Sequence, residues 1–409
     1  MAFNETEATL NDFQPPEYLD KSDLECLKQF NQTARKYNQT AYMSAHDSST
    51  FAYTQGRVIL LTVCFPLILI FGVLGNCAFI YVVAKIKHMR TITNRYLVNL
   101  AIADVIFLIA AIGPKLYRFM KSPLDGDDSP LGASGCIWTY FLSDMSYFAS
   151  LLFVTLVSLD RFVAVCRPQD RNNGIKGRSA ELITGAWILS CLLAASLTPG
   201  NANLVFYCYK WAPIKPYNTW PSTIRYCMPM KEWMKTFAFG MQTLPFFVTL
   251  ILNCGLYIAI IHGLDKSIKR LNLQGEQKNK DSRMRNQIAK MLVVNGIIFF
   301  ICLSPFEFVS LCYMIATVRD YIFFISSVDA RTYITVFARI LSYINSAINP
   351  IVYTAMCERY IQAFKQAFVP SYFSRNTNEN NKGKISRIKG SNRTCQTAVS
   401  VNESKDTNV

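Results

Sequence analysis

Asp160 and Arg161 stand side by side in VTLVSLDRFVAVCRP (residues 154–168), a run that is otherwise apolar up to its closing Arg167-Pro168. Adjacent opposite charges lower each other's cost in a medium of low dielectric constant, and a pair whose partners can be exchanged is a two-state element. A second group of polar side chains also sits inside apolar runs: Asn76 after Gly75, Asn99 and Asp104 in NLAIAD, Ser150, then Asn345, Ser346 and Asn349. An acid among amides and hydroxyls offers the hard oxygen ligands that suit Na⁺ or a proton at Asp104, and on spacing alone the same groups serve equally well as interhelical glue. A third group comprises Lys115, Ser143, Asp144, Tyr147, Gln242, Phe306, Glu307, Arg339 and Tyr343. Asp144 precedes Arg161 by seventeen residues, about 25 Å along a helix, so this group belongs near the other end of the same segment. Two acids and two bases there suit a ligand bearing both signs, such as a peptide; an internal Glu307–Arg339 pair is the plainer alternative. No HExxH, Walker or Gly-rich phosphate motif occurs, and His46, His88 and His262 are scattered, so the chain reads as no enzyme.

The elements that must position these groups follow from composition. Of 409 residues 51% are hydrophobic and 17% charged, a balance that points to a membrane. The net charge of +15 could suit a nucleic-acid partner, but the bases cluster in short loops and the tail, which excludes that class. Runs of at least about 20 apolar residues, enough to cross a bilayer, recur at about 57–85, 94–120, 134–166, 180–203, 234–262, 287–317 and 331–355. The seven predict an all-α membrane protein, a seven-transmembrane helix bundle. Lys85, Lys87, His88, Arg90 and Arg95 follow span 1; Arg167, Arg171, Lys176 and Arg178 follow span 3; more bases follow span 5 and span 7. By the positive-inside rule those loops and the C-terminus face the cytoplasm. The first 56 residues carry eight acids against four bases and the sequons at Asn4, Asn31 and Asn38, as expected of an extracellular segment. That segment lacks an apolar core, so span 1 is expected to act as its own insertion signal.

The expected organisation is an extracellular glycosylated segment at 1–56, the bundle at 57–355, an amphipathic cytoplasmic helix at 356–369 and a disordered cytoplasmic tail at 370–409. In CERYIQAFKQAF, Tyr360, Phe364 and Phe368 fall at helical spacing opposite Arg359, Gln362 and Lys365, which suits a helix lying on the inner leaflet against lipid. Between spans 4 and 5, LVFYCYKWA and TIRYC are strand-like and separated by turn formers, so a β-hairpin is expected in this second extracellular loop.

Seven signatures recur in order, one per span: Gly75-Asn76, LAIAD with Asp104, Asp160-Arg161-Phe162, Trp187, Pro245, CLSP (Cys302 to Pro305) and NPIVY (Asn349 to Tyr353). Over about residues 57–368 the chain resembles a rhodopsin-like (class A) G-protein-coupled receptor. The resemblance implies a G-protein switch made of Asp160, Arg161, Phe162, Asn349, Pro350 and Tyr353, with Arg161 held near Asp160 at rest and freed to meet a G-protein helix. It implies a polar core of Asn76, Asp104, Ser150, Asn345, Ser346 and Asn349, with Na⁺ at Asp104. Three departures stand out: Leu303 replaces the usual Trp, Asn253 replaces a Tyr eight residues after Pro245, and Phe162 replaces a Tyr. Span 6 opens on DSRMRNQIAK, with Arg285 and no acid for Arg161 to meet, so Asp160 is expected to be its main restraint.

The same resemblance ties Cys136 to the loop between spans 4 and 5, where Cys208 is preferred over Cys227 because Cys227 lies close to span 5; the leftover cysteine could pair with Cys26. Tyr343 occupies the position at which an opsin-like protein carries its Schiff-base Lys, and Ser143 the position of the amine receptors' Asp. Light sensing and amine binding are thereby disfavoured; a receptor for a small amine or lipid is the alternative within the class, and a transporter the alternative outside it. MRTITNRYL, an acid at Asp144 and the long hairpin resemble neuropeptide receptors of the thyrotropin-releasing-hormone, neuromedin and ghrelin type. What this implies is an extracellular peptide ligand, a heterotrimeric G protein of the Gq class with calcium release, and plasma-membrane residence. Arrestin is expected on the phosphorylated tail (Ser386, Ser391, Thr394, Thr397, Ser400, Ser404).

Overall fold

The computed structural model describes residues 41–167, 178–271, 276–319 and 328–369. Asn4, Asn31, Asn38, Cys26 and the tail serines and threonines lie outside them, as does the side chain of Arg285. Strand β1 (Ala41–Tyr42) and helix α1 (Ala45–Thr50) precede α2 (Gln55–Lys85), α3 (Ile92–Lys121), α4 (Gly132–Cys166) and α5 (Ser179–Leu197). Strands β2 (Asn203–Lys210) and β3 (Thr223–Met228) then lead into α6 (Glu232–Leu271), α7 (Glu276–Arg319), α8 (Val328–Met356) and α9 (Glu358–Phe368).

Helices α2 to α7 are each long and apolar enough to cross a membrane. Helix α8 is the seventh; Arg331, Arg339, Asn345, Ser346 and Asn349 dilute its apolar character, which marks a span whose polar face belongs inside a bundle. The fourth run was expected to reach 203 but its helix ends at Leu197, because Pro199 and Gly200 turn the chain through a 3₁₀ segment into β2. Conversely, α6 and α7 run well past the apolar stretches at 262 and 287, carried on by helix-forming Lys, Arg, Glu and Gln.

Proline interrupts α3, α6, α7 and α8, at Pro114, Pro245, Pro305 and Pro350. Each removes an N–H and so frees the carbonyl four residues earlier; for Pro350 this is the Ser346 carbonyl, and Asn76 Nδ2 donates to it at 2.9 Å. The Thr249 hydroxyl donates to the carbonyls of Pro245 and Phe246, Thr354 does the same at Pro350 and Ile351, and Ser304 donates to Phe300. Close helix approach relies on glycine. A methyl at Gly72 would meet Leu108 Cδ1 at 2.4 Å and Ala347 Cβ at 3.0 Å, so α2 could not lie where it does against α3 and α8.

The chain divides into two compact units, one of residues 1–66, 110–142 and 195–238, the other of 67–109, 143–194 and 239–409. The first unit is built on the hairpin. β2 and β3 pair antiparallel from Asn203↔Met228 to Cys208↔Thr223, and β1 adds a third, parallel strand through Ala41↔Tyr209 and Tyr42↔Lys210. Leu124, Tyr209 and Ile224 form its core, with Met43, Phe51, Tyr207, Trp211, Trp220 and Tyr226 packed around it. The 122–131 loop fixes β3: Asp128 N donates to the Arg225 carbonyl at 2.8 Å, and Asp128 Oδ2 accepts from Cys227 N at 2.8 Å. Asp125 is paired with Arg57 at 3.0 Å, and burial pushes its carboxyl up from the ordinary range while Arg57 opposes the shift.

That loop decides the disulfide. Cys136 is bonded to Cys227, not to the preferred Cys208. Nearness of Cys227 to span 5 is no obstacle, because Asp128, eight residues before Cys136, delivers the end of β3 to the start of α4. Cys208 lies four ladder pairs away and is itself disulfide-bonded. Closing a loop of 91 residues constrains the unfolded chain by about 4–5 kcal/mol. Mass mapping of the non-reduced protein is expected to recover a Cys136–Cys227 linked peptide from Cys208→Ser and to lose it from Cys227→Ser; a Cys136–Cys208 peptide would contradict the register.

Candidate functional site: a charge cluster and a restrained Arg on one helix

Helix α4 carries both groups of interest within the second unit, Asp144 near residue 143 and the Asp160–Arg161 pair towards its C-terminus. Sixteen residues separate the two acids, about 24 Å of helix.

At the Arg161 end the pair is buried, Asp160 5% and Arg161 8% exposed. Asp160 Oδ2 accepts from Arg161 at 2.6 Å through Nη2 and 3.2 Å through Nε. Thr93 of α3 completes the network: its hydroxyl donates to Asp160 Oδ2 at 2.6 Å and accepts from Arg161 Nη2. A single carboxylate oxygen thus collects three donors, and Thr93 bridges two helices. Sequence reasoning had Asp160 as the main restraint and missed Thr93, although it stands in MRTITNRYL; nothing local says which hydroxyl of that stretch faces Asp160. Around the network, Tyr360 of α9 donates to Asn94 Oδ1 at 2.6 Å and Asn94 donates to the Met89 carbonyl at 2.6 Å, fixing α9 to the start of α3. Tyr353 lies between Phe79 and Tyr360, with ring centroids 5.2 and 5.9 Å away.

Three helices lock together one turn before this end. The Tyr257 hydroxyl of α6 lies 3.2 Å from Ser158 Oγ of α4 and fits a notch at Gly296 of α7, where an added Cβ would sit 1.8 Å from it. Asn253, standing where a Tyr was expected, donates to Thr155 Oγ1 at 2.9 Å, so it ties α6 to α4 in its own way. Leu303 is simply buried.

In the middle of the unit Asn349 Nδ2 donates to Asp104 Oδ2 at 2.7 Å, and Asn76 Nδ2 donates to the Ser346 carbonyl at 2.9 Å. Asp104 Oδ1 is buried without a hydrogen-bond partner, while Ser150 and Ser346 add hydroxyls within interaction range of the carboxylate. Asn345 Oδ1 is also buried and unbonded. A carboxylate oxygen left open among hydroxyls and amides fits a small hard cation.

At the Asp144 end, Glu307 is fully buried and its Oε1 accepts from the Tyr147 hydroxyl at 2.7 Å, with Thr243 nearby. The plainer alternative, Glu307 paired with Arg339, is not what the side chains do. Arg339 is exposed and lies over the Phe306 ring at 4.9 Å, and its charge acts on Asp144. Asp144 makes no hydrogen bond or ion pair among the described residues. Tyr343 is buried against Phe107, and Ser143 and Gln242 are half-buried in the same unit. Lys115 belongs to the other unit; Asp144, Glu307 and Arg339 all belong to the second.

Residues 75–353, well over half of the chain, match the family model described as 7 transmembrane receptor (rhodopsin family). The chain belongs to this family. Its members are receptors, not enzymes. Curated relatives include somatostatin receptor type 5 of Rattus norvegicus, 26% identical over 313 residues, covering 76% of this chain and 78% of the relative. Neuromedin-U receptor 1 of Mus musculus is 29% identical over 328 residues, covering 75% and 72%. The thyrotropin-releasing hormone receptor of Mus musculus is 27% identical over 352 residues, covering 82% and 84%. Two of these fall in the group that MRTITNRYL resembled; the somatostatin receptors add a branch it did not point to.

Two variants test the packing described. Gly296→Ala must drive the Tyr257 ring out of its notch and is expected to cost about 1–3 kcal/mol, read as a lower thermal unfolding midpoint of the purified receptor. Thr93→Val keeps the shape but leaves Asp160 a donor short and Arg161 an acceptor short, about 1–3 kcal/mol. An unchanged midpoint in either variant would remove that contact from the account.

Proposed function

We propose that this receptor resides in the plasma membrane, binds an extracellular peptide and transmits that binding to a heterotrimeric G protein of the Gq class, with calcium release as the output. One observation carries the reading: α4 bears an uncommitted carboxylate, Asp144, near one end and a restrained, exchangeable charge pair, Asp160–Arg161, at the other. A peptide's ammonium or guanidinium group suits Asp144, while Tyr147–Glu307 and the Arg339–Phe306 stack supply hydrogen-bonding and anion-binding partners beside it. Relatives named for somatostatin, neuromedin-U and thyrotropin-releasing hormone support a peptide hormone as the ligand class.

The orientation places the Asp160–Arg161 end in the cytoplasm, as the bases flanking spans 1, 3, 5 and 7 require. Glycans then sit at Asn4, Asn31 and Asn38, arrestin acts on the phosphorylated tail, and α9 lies on the inner leaflet with Phe368, 54% exposed, towards lipid. Asp104, with Ser150, Ser346, Asn345 and Asn349, would hold Na⁺, which when bound supplies a countercharge to the buried carboxylate.

A fractionated peptide library applied to cells expressing the receptor is expected to release calcium. Asp144→Asn and Glu307→Gln are each expected to lower potency tenfold or more, since a charge-assisted hydrogen bond contributes about 1.5–3 kcal/mol. A change in cyclic AMP without calcium release would overturn the Gq assignment alone. Tracer flux through reconstituted vesicles without nucleotide exchange would overturn the receptor reading.

A further inference from the structure

Among the described arginines of the first unit, Arg225 of β3 is the one that the fold's own carboxylates leave aside. Arg57 is paired with Asp125 and Arg118 with Asp128. Asp127 accepts from Ser122 Oγ, Ser129 N and Arg225 N, the last a backbone bond that leaves the guanidinium out. The Arg225 guanidinium itself makes no ion pair or hydrogen bond among the described residues, and its Nε is buried without a partner. It lies 4.4 Å from the centroid of the Phe206 ring, directly across the ladder.

Strand alternation separates two faces of the hairpin. Ile224 and Tyr226 turn into the aromatic core with Tyr209 and Leu124, so Arg225 shares the other face with Cys227, the residue bonded to Cys136 at the start of α4. Stacking on Phe206 holds the planar fork in one orientation, which lowers the entropy lost when a planar anion docks. A partly desolvated guanidinium with an open fork is complementary to a carboxylate, which can take two parallel N–H···O bonds.

We infer that Arg225, stacked on Phe206, is a specificity-determining residue that receives a carboxylate of the peptide, either its C-terminal α-carboxylate or an acidic side chain. The inference rests on the peptide-receptor reading and adds the sign and chemistry of one ligand group.

The test uses full-length receptor in cells and a synthetic peptide library made in three forms: free C-terminal acid, C-terminal amide, and free acid with every Asp and Glu replaced by Asn and Gln. Wild type is expected to lose about tenfold or more in potency for one of the two neutralised forms, which identifies the source of the carboxylate. Arg225→Gln is expected to lose a similar factor for the parent peptides and nothing further for that neutralised form. Arg225→Lys, which keeps the charge but not the fork, is expected to fall between. Equal loss for charged and neutralised peptides, or no loss at all, would overturn the assignment even with surface expression intact. A wild-type receptor silent to every form would overturn the peptide reading itself and this inference with it.

Discussion

A full charge inside an apolar helix bundle is tolerated only where an opposite charge or a hydrogen-bond donor meets it, because no water is there to do so. In this protein that constraint is strongest at Asp160, whose Oδ2 gathers Arg161 and the Thr93 hydroxyl in one buried cluster. It makes the neighbouring helices interdependent: α3 supplies Thr93, α4 supplies the pair, and α9 is pinned to the start of α3 through Tyr360 and Asn94. The cluster is stable as a set and costly in parts, since removing one member leaves the others buried and short of a partner. An arrangement with those properties has two good states, closed on itself or opened onto another molecule that replaces the lost partner.

The same rule orders the rest of the second unit. Asp104 takes its donor from Asn349, Glu307 takes Tyr147, and the Ser346 carbonyl freed by Pro350 takes the Asn76 amide. Where the rule is left partly unmet, function is the natural reading. Among the described residues, Asp144 makes no hydrogen bond or ion pair, and Asp104 Oδ1 and, in the hairpin unit, Arg225 Nε are buried without a hydrogen-bond partner. The proposed ligand and ion contacts fall at these three positions.

Much of this architecture is legible in the chain because bilayer thickness imposes a length. Apolar runs of about 20 residues mark the spans, and the turn formers between LVFYCYKWA and TIRYC mark the hairpin. The acid and base that matter are also visible, since a charge in such a run is conspicuous. What escapes is the identity of partners brought together across helices. Thr93 reaches Asp160 over 67 residues and Tyr257 finds its notch at Gly296 through the packing of three helices, so no local pattern records either contact. Cys227 rather than Cys208 meets Cys136 because Asp128 grips β3 by its backbone, a consequence of the register and of a loop some 99 residues away in sequence. Span 4 closes early for a local reason, Pro199-Gly200, that the apolar run around it obscured.

The central claim is that Asp160 restrains Arg161 and that releasing this restraint is the signalling event. Agonist-independent nucleotide exchange on a G protein, measured in membranes carrying matched amounts of wild-type receptor and Asp160→Asn, tests it most directly. Asparagine keeps the shape and removes the charge that holds the guanidinium, so the account predicts a several-fold rise in basal exchange. Basal exchange equal to wild type in a well-expressed Asp160→Asn receptor would contradict it.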